Sequence, residues 1–126
     1  MASDLRRDAR ILAAVLIATV GAIHLYLWFD YFHRVHVVGA LFLANAAAGL
    51  PIAVWLLVSA GVLGLIAGAG FAATTLAAFL VSTRWGLFGY HEHFLGSWQL
   101  AAGLVELAAA LLLAALAATA RVRPGR

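Results

Sequence analysis

Between Ile11 and Ala120 only five residues hold a full charge at neutral pH: Asp30, Arg34, Arg84, Glu92 and Glu106. The first four fall in two short breaks between apolar runs. The runs lie at about 11–29, 35–58, 61–83 and 97–120. Each is close to the ~20 residues that a helix needs to cross the hydrocarbon core of a bilayer. Of the 126 residues 66% are hydrophobic, and the mean hydropathy is +1.04. A soluble domain of this size cannot hide that much apolar surface. In lipid, backbone polar groups must be satisfied within the segment, so such runs fold as helices. The sequence predicts an all-α fold, a four-helix transmembrane bundle, with residues 1–126 as a single membrane domain in the lipid bilayer.

Charge predicts how the bundle is oriented. Arg6, Arg7 and Arg10 precede the first run, Arg121, Arg123 and Arg126 follow the last, and only Arg34 and Arg84 lie elsewhere. Lysine is absent. This asymmetry is the positive-inside pattern, and it predicts that both termini are cytoplasmic. The pI near 10.2 then reports topology and attraction to anionic lipid, with no role for nucleic acid. The first run is too long for a signal-peptide core and continues into Trp28 and Tyr31, so it is expected to stay as a helix. With no cysteine in the chain, disulfides, thiol catalysis, iron–sulfur clusters and Cys-ligated zinc are excluded.

The first link, Asp30–Arg34, and the second, near Ser59–Gly61, are too short for anything but up-down antiparallel hairpins. The third, about Arg84–Gly96, is the longest. Trp28, Tyr31, Trp85, Tyr90 and Trp98 map to the interface at the first and third links, as an aromatic belt would. Gly64-x-x-x-Gly68 is a small-residue pattern that suits close helix packing inside the bundle.

Glu106 is the exception among the five charged residues, because it lies inside an apolar run. A carboxyl group in hydrocarbon is costly unless it has partners or stays protonated. At ~1.5 Å per residue, Glu106 lies about 14 Å below Ser97, His24 about 9 Å below Asp30, Asn45 about 12–15 Å below Val35, and Thr74 and Thr75 about 13 Å below Arg84. Gln99, Gly103 and Glu106 share one helix face at i, i+4 and i+7. Ionisable groups in membrane helices turn towards the bundle interior. A buried polar site of His24, Asn45, Glu106 and Gln99 or a threonine is therefore expected in the outer half. Glu106 would accept a proton, His24 would be its partner or a ligand, and Asn45 would orient. The bland reading is interhelical hydrogen bonding, at ~0.6–2 kcal/mol per pair.

A second constellation sits at the outer links. His33 and His36 are spaced as His-x-x-His, and His91, Glu92 and His93 follow one another. Imidazoles with a carboxylate can hold zinc or copper. The competing reading is interfacial histidine, with Glu92 paired to an arginine. A haem b would need two facing axial histidines, with His24 and either His91 or His93 as the pairing. Hydrolase, phosphate-loop and dinucleotide motifs are absent.

Three stretches, Gly21-Ala-Ile-His-Leu25, Leu41-Phe-Leu-Ala-Asn-Ala-Ala-Ala-Gly49 and Gly86-Leu-Phe-Gly-Tyr-His-Glu92, resemble an uncharacterised family of small four-span membrane proteins from actinobacteria. DoxX-like proteins are similar in size only. The resemblance implies a plasma-membrane protein and carries no catalytic assignment. The reading from sequence is a non-enzymatic small membrane protein or accessory subunit. Its site would take a proton, a quinone-like or lipid ligand, a metal or haem. Two alternatives stay open: a structural subunit assembling with other membrane subunits, and a channel or transporter formed as a homo-oligomer.

Overall fold

The structure, a computed structural model, describes residues 1–93 and 96–121. Four α-helices account for it: α1 (Ala2–Asp30), α2 (Val38–Val58), α3 (Val62–Arg84) and α4 (Ser97–Arg121), with a 3-10 turn at Phe32–Arg34. All four are long and apolar enough to cross a membrane, as a small integral membrane protein requires. Arg123 and Arg126, part of the basic flank, lie outside the described residues.

Two boundaries differ from the apolar runs for physical reasons. Helix α1 begins at Ala2, well before Ile11. Hydropathy marks where lipid would begin, whereas Ala, Leu and Arg in the lead segment are good helix formers in water. Helix α2 begins at Val38, three residues after Val35. The chain has to reverse first: Val37 takes a φ of 66°, and the Val38 amide donates to the His36 carbonyl at 2.8 Å. That is a tight three-residue turn, a strained conformation for a β-branched residue. Gly39 follows, where a Cβ would collide with the Phe32 carbonyl. Pro51 lies within α2 without ending it.

Contacts run in opposite order along neighbouring helices. Arg6 of α1 donates to Thr119 of α4 at 2.8 Å, His24 lies by Glu106, and the tilted rings of Tyr26 and Trp98 are 5.2 Å apart. Between α2 and α3, Trp55 lies by Gly64 and Asn45 by Thr75. The first and third links meet at one end, where Phe32 packs edge-on against Tyr90 at 5.1 Å. The second link shares the other end with α1's start and α4's last turn, around a groove that includes Ser3, Arg6, Ala60 and Ala120.

Packing is uneven between these ends. In the half that holds the chain's ends, all four helices meet on a core that includes Ile17, Leu56, Leu65, Ala72, Ala109 and Leu113. Gly64 and Gly68 face inwards there, against Trp55 and against Leu56 and Leu113. In the half beneath the first and third links, the core is Ile23, Leu27, Phe32, Val38 and Ala102, with no residue of α3 among those described. Helix α3 packs on α4 throughout but only loosely on α2. The space between them is the cavity described next.

Candidate functional site

A cavity of about 520 Å³ lies in the link half of the bundle, with walls from all four helices and the third link. That is within the usual range for small-molecule sites. Leu41, Ala44 and Ala48 of α2 and Gly70 and Thr74 of α3 line it and are exposed at the bundle surface. The cavity therefore opens sideways through the loose α2–α3 seam.

Two phenylalanine rings of α3 sit on glycines of its neighbours. The Phe79 ring of α3 sits over Gly103 of α4, where a Cβ would come within 3.1 Å of it. The Phe71 ring sits over Gly49 of α2 in the same way, also at 3.1 Å.

The cavity's polar side chains come from separate helices. His24 and Glu106 are 8% and 1% exposed, and both line it, as do Asn45, Thr75 and Gln99. The imidazole of His24 donates from Nδ1 to the Val20 carbonyl at 2.9 Å, since a carbonyl can only accept. Its Nε2 faces Glu106 Oε1 at 3.7 Å. With Nδ1 carrying a hydrogen, a neutral ring would turn a lone pair on the carboxylate. The contact is attractive only with a proton in that gap, on the ring or on the carboxyl group. Asn45 donates from Nδ2 to Thr75 Oγ1 at 2.9 Å, and Thr75 donates to the Phe71 carbonyl at 2.8 Å. Two acceptors are left over: Asn45 Oδ1 and Glu106 Oε2 are buried with no hydrogen-bond partner among the described residues. His24 also packs on Phe42, with ring centroids 4.7 Å apart. The expected group of His24, Asn45, Gln99 and Glu106 is thus brought to one cavity, and Thr75 joins it.

The outer histidines and Glu92 are distributed differently. The Nδ1 of His33 donates to the Trp28 carbonyl at 2.8 Å, and its Nε2 accepts from Arg34 Nε at 3.3 Å, so both ring nitrogens are engaged. His36 is exposed. The His91 and His93 rings stack on each other, 4.8 Å between centroids. Glu92 turns inwards, 7% exposed, to line the cavity. It accepts from the Tyr90 hydroxyl at 3.1 Å and from the His93 amide at 3.1 Å, and its own amide donates to the Ser82 carbonyl at 2.9 Å. Burial and then the Glu92 carboxylate push the Tyr90 phenol well above its usual range. Among the described residues no three His, Asp or Glu side chains converge as metal ligands do.

The third link thereby becomes a lid, which the sequence did not announce. Leu87 and Tyr90 exchange backbone hydrogen bonds at 2.7 and 2.9 Å across Phe88 and Gly89. Both central residues have positive φ, 48° and 82°. This is the two-residue hairpin loop that glycine favours at its second position. The only signal was Phe-Gly between Leu and Tyr, weaker than the usual Asn-Gly. The hairpin carries Leu87, Tyr90 and Glu92 over the cavity.

Comparison with known proteins finds no match: no family model, no curated protein and no solved structure is similar to this chain. Function has to be argued from the cavity itself.

Proposed function

We propose that this small multi-pass membrane protein binds a lipid-soluble ligand, quinone-like or lipid, in the cavity, and holds a proton beside it. Glu106 and His24 share that proton, Asn45 orients the ligand's polar head, and Gln99 and Glu92 flank it. The reading places both termini in the cytoplasm of a plasma membrane, with the lid on the outer side.

One observation carries it. Two buried acceptors, Asn45 Oδ1 and Glu106 Oε2, stay unpaired on side chains that line an apolar cavity. Each unpaired buried group costs about 1–3 kcal/mol. Pairing across helices uses Asn45 Nδ2 and Thr75 and brings Glu106 Oε1 to His24, and these two oxygens are what it leaves over. Mostly apolar walls favour an organic ligand over a metal, and among the described residues no three His, Asp or Glu side chains converge as metal ligands do.

The test is chemical. Protein purified in mild detergent is extracted with organic solvent, and the extract is analysed by mass spectrometry. A neutral lipid or quinone should accompany the wild type near one to one and be lost from Glu106→Leu and Asn45→Leu. Equal amounts in all three proteins, or none in the wild type, would sink the proposal.

A further inference from the structure

We infer that the end of the bundle opposite the cavity holds a second site, a groove that takes the phosphate headgroup of an anionic phospholipid. It goes beyond the cavity reading and shares no residue with it.

Arginines on one helix face make the site. Ser3, Arg6, Arg7 and Arg10 fall at i, i+3, i+4 and i+7 of α1 and form a single stripe. They line a groove of about 400 Å³, closed on its other sides by the second link, the start of α3 and the last turns of α4. No carboxylate among the described residues lines it. Asp4 and Asp8 stand one position off the stripe and are exposed; Asp8 meets Arg7 at 3.5 Å, a surface pair of little strength. Arg6 reaches across the groove to α4, where it donates to the Thr119 hydroxyl at 2.8 Å and the Leu116 carbonyl at 3.4 Å, both neutral. Of the Arg10 guanidinium nitrogens only Nε is both buried and unpaired, so the Nη groups are the part that a ligand reaches. The Arg7 side chain is 61% exposed. Guanidinium groups stay charged and present forked donors that match phosphate oxygens. The rim at α3 adds to this, because first-turn amides lack intrahelical partners and carry partial positive charge.

The walls choose the source of the phosphate. Val62, Leu65 and Leu116 line the same groove as the arginines. Arg10 directly precedes Ile11, where the first apolar run begins. The charges therefore stand at headgroup depth, with apolar surface continuing inwards from them. Free phosphate would meet the charges and gain nothing from that surface. A phospholipid uses both, as headgroups do in basic pockets between membrane helices.

The full-length protein in mild detergent is titrated with phosphatidylglycerol or with phosphatidylcholine of the same chains, and bound lipid is counted by native mass spectrometry. Phosphatidylglycerol should be retained about tenfold more tightly, and Arg10→Gln should cut that preference to about threefold or less. Arg84→Gln, which removes one charge at the other end of α3, should leave it unchanged. Ala60→Trp keeps every charge and should weaken retention by filling the groove. Equal retention of the two lipids by the wild type would overturn the inference. Equal losses from Arg10→Gln and Arg84→Gln would overturn it as well, by reducing the preference to diffuse charge. Release of the bound phosphatidylglycerol by excess inorganic phosphate would show a site for free phosphate and overturn the lipid assignment. The wild-type comparison and the phosphate competition stand even if a variant does not fold.

Discussion

In the half of the bundle that holds the chain's ends, all four helices close on Ile17, Leu56, Ala109 and Leu113. In the link half, α3 stands off and His24, Asn45 and Glu106 line a cavity. Both halves are made of the same apolar residues, mainly Ala, Leu, Val and Gly. What differs is where the small residues stand. In the closed half the glycines lie on α3 and admit Trp55, Leu56 and Leu113 from its neighbours. Towards the open half, Gly49 of α2 and Gly103 of α4 meet Phe71 and Phe79 of α3, and Gly70 of α3 meets nothing within 4 Å. Lipid tails are as apolar as leucine, so helices in a bilayer associate through close packing more than through exclusion of water. Closure therefore depends on shape.

The sharpest way to break this contrast is to hollow out the closed half. Leu113 is fully buried. Truncating such a leucine to alanine costs about 2–5 kcal/mol in a soluble core. In lipid the unfolded helices stay out of water, so much of the transfer component falls away. Leu113→Ala should still lose about 2 kcal/mol in reversible unfolding in bicelles. Asn45→Leu in the open half should stay within about 1 kcal/mol of wild type, because it removes an unpaired acceptor along with one hydrogen bond. Equal losses at the two sites would mean that the halves are not packed differently.

A finer comparison uses two glycines of the same helix. A Cβ at Gly68 would lie 2.9 Å from Leu113 Cδ1, whereas at Gly70 it would meet nothing within 4 Å. Gly68→Ala should cost about 1 kcal/mol, the lower end for overpacking, since the atom it meets is the tip of a flexible side chain. Gly70→Ala should be neutral or slightly stabilising, as alanine is the better helix former. The same unfolding measurement decides it, and a loss at Gly70 as large as at Gly68 would contradict the open seam.

An effect of similar size concerns the lid. Tyr90→Phe removes the hydroxyl that donates to Glu92 and should cost about 1 kcal/mol at neutral pH. The pH dependence has a definite sign. The phenol's folded-state pKa is raised by burial and by Glu92, so folding disfavours the phenolate. The stability tied to the neutral phenol is complete below the unfolded value of about 10 and is lost progressively as pH rises above it. Between pH 9 and 11 the wild type should lose stability faster than Tyr90→Phe. Parallel curves for the two proteins would show that Tyr90 titrates as it does in the unfolded chain.

Much of this was legible in the sequence. Helix number and type follow from the length and hydropathy of the runs, because backbone bonding in lipid is local. His24, Asn45 and Glu106 could be assigned to one level from rise per residue alone. Less was legible where helix rotation matters. Glu92 stood beside two histidines and was open to reading as a metal ligand or an arginine partner, yet its side chain turns in to Tyr90. The lid hairpin was hidden because Phe88 adopts a positive φ that its side chain does not advertise. Thr75 was one of two threonines at the right depth, and only its bond to Asn45 singles it out.

By itself, then, the sequence determined four membrane-length helices and placed one carboxyl group among them. Both follow from local free energies, the cost of unpaired peptide groups and of charge in hydrocarbon. The tertiary structure decided which half closes, where the seam opens and which two acceptors are left without partners. Those depend on how side chains from different helices meet, through contacts between residues as far apart as His24 and Glu106.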